Sequence, residues 1–293
     1  MTKDSLSLGE GNTPLIKAIR LNLYFLENFN VYFKNELLNP NGNIEDRGVY
    51  NYLKDYIDKG KEGVIVYSTG EAAASVASYA SRMGLKSFIF VAKEQYKEKR
   101  YKKALKFDTK IFVIDEEEKE IIKNIYKLTE NYPYLSIIPL ENKIFMDGIK
   151  TIIKEIEDKI KKIDYIIVKK AEVNSGRFRF YKEIFSSEDI KVLGVSTEES
   201  GSDIITVDEY DVIEALNTNR KQEGIVEEEA AILTAGVMKC AEENVFKSGD
   251  NIVCLVDERE NIEELEEYEK QNIYMLKNGI EEIKFKMGLK NIL

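Results

Sequence analysis

The 293-residue chain contains no histidine. That absence removes the usual general base, the commonest zinc ligand and every Ser/His or Cys/His nucleophilic pair, so any chemistry falls to Lys, Asp, Glu, Tyr, Ser or a cofactor. Cysteine is scarce, with two residues in the whole chain. Cys240 lies in an apolar helical pattern and Cys254 in an apolar strand pattern, where a free thiol behaves as a small buried hydrophobe. No apolar run approaches the roughly 20 residues of a membrane span. The opening "MTKDSLSLGEG" carries no apolar core of a signal peptide, and a cytoplasmic protein is expected. Positive charge is in deficit: 43 Lys and Arg against 53 Asp and Glu leave a formal charge of -10. Such a balance repels a phosphate backbone or an anionic bilayer, so neither nucleic acid nor membrane is an expected partner. Internal repeats and low-complexity linkers are also missing.

What is present reads as an α/β protein. Short β-branched and aromatic runs alternate with amphipathic stretches, the pattern of β-α-β units around a mostly parallel sheet. Strands are expected at residues 31–37, 63–68, 87–92, 110–115, 135–139, 164–169, 191–196 and 251–257. The run "DYIIVKK" is continuously apolar between charges, as in a strand covered on both faces. Glu71 to Met83 is an Ala-rich helix with Gly84 as its stop. Apolar residues at Ile149, Ile152, Ile153, Ile156 and Ile160 form one helical stripe, and "EEEAAILTAGVMKCAEENVF" is a further helix. The charged run from Asp257 to Lys270 reads as loop and solvated helix. The length fits two lobes between which the chain weaves.

Three loops follow strand ends, where parallel α/β sheets form their ligand crevice. "NPNGNIEDRG" (residues 39–48) opens on an Asn39-Pro40 turn and ends in Asp46-Arg47-Gly48 at a helix start. "STGEAAAS" (residues 68–75) leads into a helix whose first N–H groups lack internal partners, suiting a carboxylate or phosphate. Ser and Thr there are also ordinary helix caps. "KKAEVNSGRFRFYKE" (residues 169–183) offers Asn174, Ser175, Gly176 and Arg177, a poor phosphate cup because only one glycine allows close backbone approach.

Taken in order, "SLGEGNTPL", "FKNELLNPNGNIEDRG", "STGEAAASVASYASRMGLKSFIFV", "MDGIKTIIKEI" and "EGIVEEEAAILTAGVMK" resemble threonine synthase. That family is a branch of the tryptophan-synthase-β-like pyridoxal-phosphate enzymes of fold type II. The resemblance covers nearly the whole chain. It implies two lobes with a cofactor cleft between them, the smaller one spanning residues 31–143 and the larger residues 1–30 and 144–293.

The same resemblance exposes departures. The family's first loop reads Asn-Pro-Thr-Gly-Ser-Phe-Lys-Asp-Arg-Gly, its lysine forming the imine with the cofactor, and Glu45 stands at that place. A carboxylate forms no imine. The family's Ser-Thr-Gly-Asn becomes Ser68-Thr69-Gly70-Glu71, the glycine-rich phosphate cup falls on residues 169–178, and a Thr-Gly pair meeting the pyridine nitrogen falls on Asp257-Glu258. Losing the lysine removes the covalent anchor and the base that moves the substrate's α-proton. Two unit charges ~4 Å apart repel by roughly 4 kcal/mol at an effective dielectric of about 20, so Glu45, Glu71 and Asp257 disfavour a phosphate. The expectation is a degenerate, non-catalytic member that takes no cofactor, pyridoxal phosphate entering only through another lysine or without a covalent bond. Lys169 and Lys170, and behind them Lys34, are the candidate substitutes. The candidate ligand cleft comprises Glu45, Asp46, Arg47, Ser68, Thr69, Gly70, Glu71, Asn174, Ser175, Gly176 and Asp257, for an amino acid or small carboxylate. Three alternatives stand beside it. One is an active enzyme using a different lysine, and another is cofactor-free chemistry by the carboxylates. The third, Mg²⁺ or Ca²⁺ on the acids, is set aside because Arg47, Arg177 and Lys169 neutralise them. Pairing as a homodimer or with an active paralogue is left open.

Overall fold

The computed structural model describes residues 6–24, 28–68, 70–94, 100–140, 142–170, 177–198, 201–257, 273–276, 283 and 286–287. Along the chain these form β1 (Leu15–Lys17), α1 (Ile19–Tyr24), β2 (Asn30–Asn35), α2 (Glu45–Leu53), β3 (Gly63–Tyr67), α3 (Glu71–Met83), β4 (Lys86–Ala92) and β5 (Thr109–Ile114). There follow α4 (Glu118–Asn131), β6 (Leu135–Ile137), α5 (Lys143–Glu157), β7 (Tyr165–Lys169), α6 (Arg177–Phe185), β8 (Lys191–Ser196) and β9 (Ile204–Thr206). The last elements are α7 (Glu209–Thr218), α8 (Glu228–Glu242), β10 (Asn251–Val256) and β11 (Ile273–Leu276).

The chain divides into two compact units, the first of Met1–Glu10, Asn43–Ile149 and Glu260–Leu293, the second of Gly11–Gly42 and Lys150–Arg259. In the first, the strand order is β11-β5-β4-β3-β6, with every pairing parallel. Its core stacks Phe88, Phe90 and Phe112 of the sheet against Ile121, Ile125 and Leu128 of α4. In the second, the order is β1-β2-β10-β7-β8-β9; β1 runs antiparallel to β2 and the other pairings are parallel. Here Phe33, Ile167, Val195 and Cys254 meet Leu233, Val237 and Cys240 of α8.

The α/β class and the eight expected strands are present, with ends shifted by one or two residues. The three short strands β1, β9 and β11 were not foreseen. The units depart from the expected lobes. Residues 31–42 belong with the second unit, because β2 pairs along its whole length with β10, Asn30 opposite Asn251 through Asn35 opposite Val256. Residues 1–10 and 260–293 belong with the first, where β11 extends the sheet beside β5. The charged run beyond Asp257 lies outside the described residues.

Local chemistry explains the elements near the loops. α3 packs Ala72, Ala73, Ala77 and Ala80 into the interior and stops at Gly84, whose φ of 71° is the left-handed conformation that glycine adopts without strain. Both thiols are fully buried. Burial pushes Cys240 up to about 12 and raises Cys254 as well, so neither is a thiolate near neutrality. Among the described residues, no helix is long and apolar enough to cross a membrane.

α8 approaches β8 closely at Gly236. A Cβ there would lie 2.3 Å from Val195 Cγ2, on a short, stiff side chain. Gly236→Ala is therefore expected to destabilise by about 1–3 kcal/mol, more than offsetting the helix-propensity gain of about 1 kcal/mol. Adding Val195→Ala should recover part of the loss in thermal unfolding. A single variant more stable than the native chain would contradict this packing.

Candidate functional site

The loop at residues 39–48 enters α2 with its polar residues inside. Glu45, Asp46 and Arg47 occupy the first turn and are 7%, 0% and 3% exposed. Two acids at a helix N-terminus suit the helix dipole, and three ionisable residues at this depth carry a desolvation cost that bonded partners offset. The turn is fixed to the neighbouring helix through Asn43, whose Oδ1 accepts from the Asp46 N–H at 3.3 Å and from Ser75 Oγ of α3 at 2.9 Å. Close packing on the other side holds the same turn. A Cβ on Gly148 of α5 would lie 2.5 Å from the Arg47 carbonyl oxygen.

The N-terminal "SLGE" stretch joins this cluster. Ser7 Oγ donates to Glu10 Oε1 at 2.9 Å, and the Tyr79 hydroxyl of α3 donates to Glu10 Oε2 at 2.6 Å. Burial first, then the charge of Asp46 and the bond to Glu10, raises Tyr79 far above the ordinary phenol value, so it stays a protonated donor. Ser68, buried at the end of β3, accepts from the Gly70 N–H at 3.3 Å. Among the described residues no side chain caps α3, and the Ala73 N–H of its first turn donates to the Gly70 carbonyl at 3.0 Å. Glu71 is the first residue of α3.

Asp257 is paired with Arg177, one of the cations expected to neutralise the acids. It is buried at the end of β10, where its carboxylate is bound by Arg177 Nη2 at 2.7 Å and by the Tyr181 hydroxyl, both from α6. Arg177 Nε also donates to the Tyr181 oxygen at 2.7 Å, and the Asp257 N–H donates to Glu229 Oε2 of α8 at 2.6 Å. This is a charge-paired cluster within the second unit.

Lys34 is a poor substitute for a reactive lysine. Its side chain is 1% exposed, with Nζ 2.6 Å from Glu155 and 3.8 Å from Glu36, and it donates to the Thr13 carbonyl at 2.8 Å. Lys169 and Lys170 are half-buried at the end of β7. Thr69, Asn174, Ser175 and Gly176 lie outside the described residues. Sequence reasoning passed over Asn43, Ser75, Tyr79 and Glu10. Their signal was faint: a serine on the buried face of an alanine helix, and an Asn inside a loop already suspected. Among the described residues no group of three or more His, Cys, Asp or Glu is placed to hold a metal ion.

Comparison with known proteins follows from this geometry. A family model described as pyridoxal-phosphate dependent enzyme matches residues 6–204. Threonine synthase of Mycobacterium leprae (strain TN) is 31% identical over 153 residues, 52% of this chain and 42% of that protein. Threonine synthase of Methanocaldococcus jannaschii is 30% identical over 158 residues, 53% of this chain and 38% of that protein. The chain thus spans about two fifths of the length of these curated relatives. In fold it is similar to a pyridoxal 5'-phosphate-dependent aspartate racemase, with TM-score 0.65, 17% identity, and 89% and 93% of the two chains covered. A serine racemase from maize gives TM-score 0.64, 18% identity and coverage of 90% and 93%. The family match overturns the expectation that no cofactor belongs with this chain. That expectation gave a few substituted positions more weight than the pattern of the whole chain, and part of the supposed phosphate loop, residues 171–176, lies outside the described residues.

Proposed function

The chain belongs to the pyridoxal-phosphate dependent enzymes of fold type II, and on that premise we propose that it is a threonine-synthase-like member that has given up the covalent step at residue 45. What remains in the first unit is a site for an amino acid. One observation carries this reading: the loop keeps its buried, helix-anchored form around Asn43, Asp46 and Arg47 while the residue within it is a carboxylate. Glu45 does not fit covalent attachment of the cofactor, since a carboxylate has no nitrogen with which to form an imine. It does fit an ammonium group. The N-terminus of α3 beside Ser68 and Gly70, where among the described residues no side chain caps the helix, fits the carboxylate of the same ligand.

Titration calorimetry with a panel of free amino acids should give heat with at least one of them, and Glu45→Ala should abolish that heat. A silent panel would remove the reading. The competing view is a catalytic member using another lysine. The ion pairs of Lys34 weaken that candidate and leave Lys169 and Lys170.

A further inference from the structure

Within the first unit, α3 is built largely of alanine, yet it meets α2 through polar side chains. Ser75 and Tyr79, four residues apart and fully buried, lie one turn above the other on the same face. Both reach α2. Ser75 Oγ donates to Asn43 Oδ1 at 2.9 Å, and the Tyr79 ring lies 6.1 Å from the ring of Tyr50. Asn43 is fully buried as well, and the same oxygen accepts from the Asp46 N–H at 3.3 Å. One atom therefore joins the two helices.

Packing alone does not call for a hydroxyl at residue 75. Alanine would leave no polar group to satisfy and has the higher helix propensity. A serine inside a helix commonly turns its proton to the carbonyl one turn back, and Ser75 gives its proton to Asn43 instead. The consequence falls on the amino-acid site of the first unit, on whose existence this inference rests. Glu45, two residues after Asn43, is the ammonium subsite, and the N-terminus of α3, one turn before Ser75, is the carboxylate subsite. These subsites belong to different helices. Apolar contact between helices tolerates sliding, whereas a buried hydrogen bond fixes distance and direction.

We propose that Ser75 is a positioning residue: through Asn43 it sets the separation of the two subsites and so selects α-amino acids, whose charged groups sit on one carbon. A bridge of a single atom, close to both subsites, suits that shortest spacing better than the longer β- and γ-amino acids. Calorimetry with L-alanine, β-alanine and γ-aminobutyrate tests it, the first two being isomers that differ in where the ammonium group sits. The native chain should bind L-alanine at least about tenfold more tightly than the other two. In Ser75→Ala that preference should shrink to about threefold or less, because a site about 1 Å too loose no longer holds its geometry. Asn43→Ala should act alike, and the double variant should discriminate no worse than either single, since all three lose one bond. Ser75→Ala should still fold, as Asn43 keeps its bond from Asp46, and thermal unfolding checks this. An unchanged preference in Ser75→Ala, or a native preference for β-alanine, overturns the positioning role and leaves the site standing. A native chain silent toward all three ligands overturns this inference, and silence across the whole panel of amino acids removes the site as well.

Discussion

Lys34→Met is expected to lower the unfolding free energy by about 3–5 kcal/mol, the range for removing one partner of a buried ion pair. The lysine is enclosed by the second unit, with Glu155 at 2.6 Å, Glu36 at 3.8 Å and the Thr13 carbonyl at 2.8 Å. Methionine fills the space but leaves Glu36, which is fully buried, without that counter-charge. Glu36 keeps the Asn39 amide at 2.6 Å, so the loss should stay below complete unfolding. Urea denaturation of the native and variant chains measures the difference directly. A change under about 1 kcal/mol would mean that the ammonium group is solvated and available for other chemistry.

Asp257→Ala should cost somewhat less, about 2–4 kcal/mol. It strips the carboxylate from the Arg177 guanidinium and the Tyr181 hydroxyl together. The Arg177 side chain keeps 17% exposure and can recover some hydration, which sets the lower figure. Asp257→Asn, which retains a hydrogen-bond acceptor, should fall between the native chain and the alanine variant. Equal stability of all three in urea would show that the cluster contributes nothing to the fold. The backbone N–H of residue 257 still donates to Glu229 in every case, so the comparison isolates the side chain.

Much of the fold was legible because buried parallel strands write themselves as unbroken apolar runs: β7, β4 and β10 each bury almost every residue. The strands that were missed are short, β1 and β9 having three residues each, too few to carry a period. The lobe boundary was missed for a different reason. β2 completes a sheet with β10, more than two hundred residues later in the chain, and no local pattern announces such a pairing.

The site divides in the same way. The loop at residues 39–48 was visible because its turn and helix-start residues flank a substituted position. Its support was not visible, since Asn43 reaches Ser75 and Glu10 reaches Tyr79 across long stretches of sequence. Lys34 illustrates the limit most clearly. As a letter in "FKNE" it was a candidate nucleophile, and in the structure it is the cation of a buried network. Asp257 read as an acid of the ligand cleft with Arg177 among the cations that neutralise it, and the structure pairs these two.

Borohydride reduction of the chain in the presence of pyridoxal phosphate, followed by peptide mass spectrometry, bears most directly on residue 45. With an active threonine synthase treated in parallel as the positive control, the native chain should carry no pyridoxyl group on any lysine in stoichiometric amount. A full equivalent on Lys169, Lys170 or Lys34 would show that another amine has taken over the covalent bond, and the account of a relinquished step would fail.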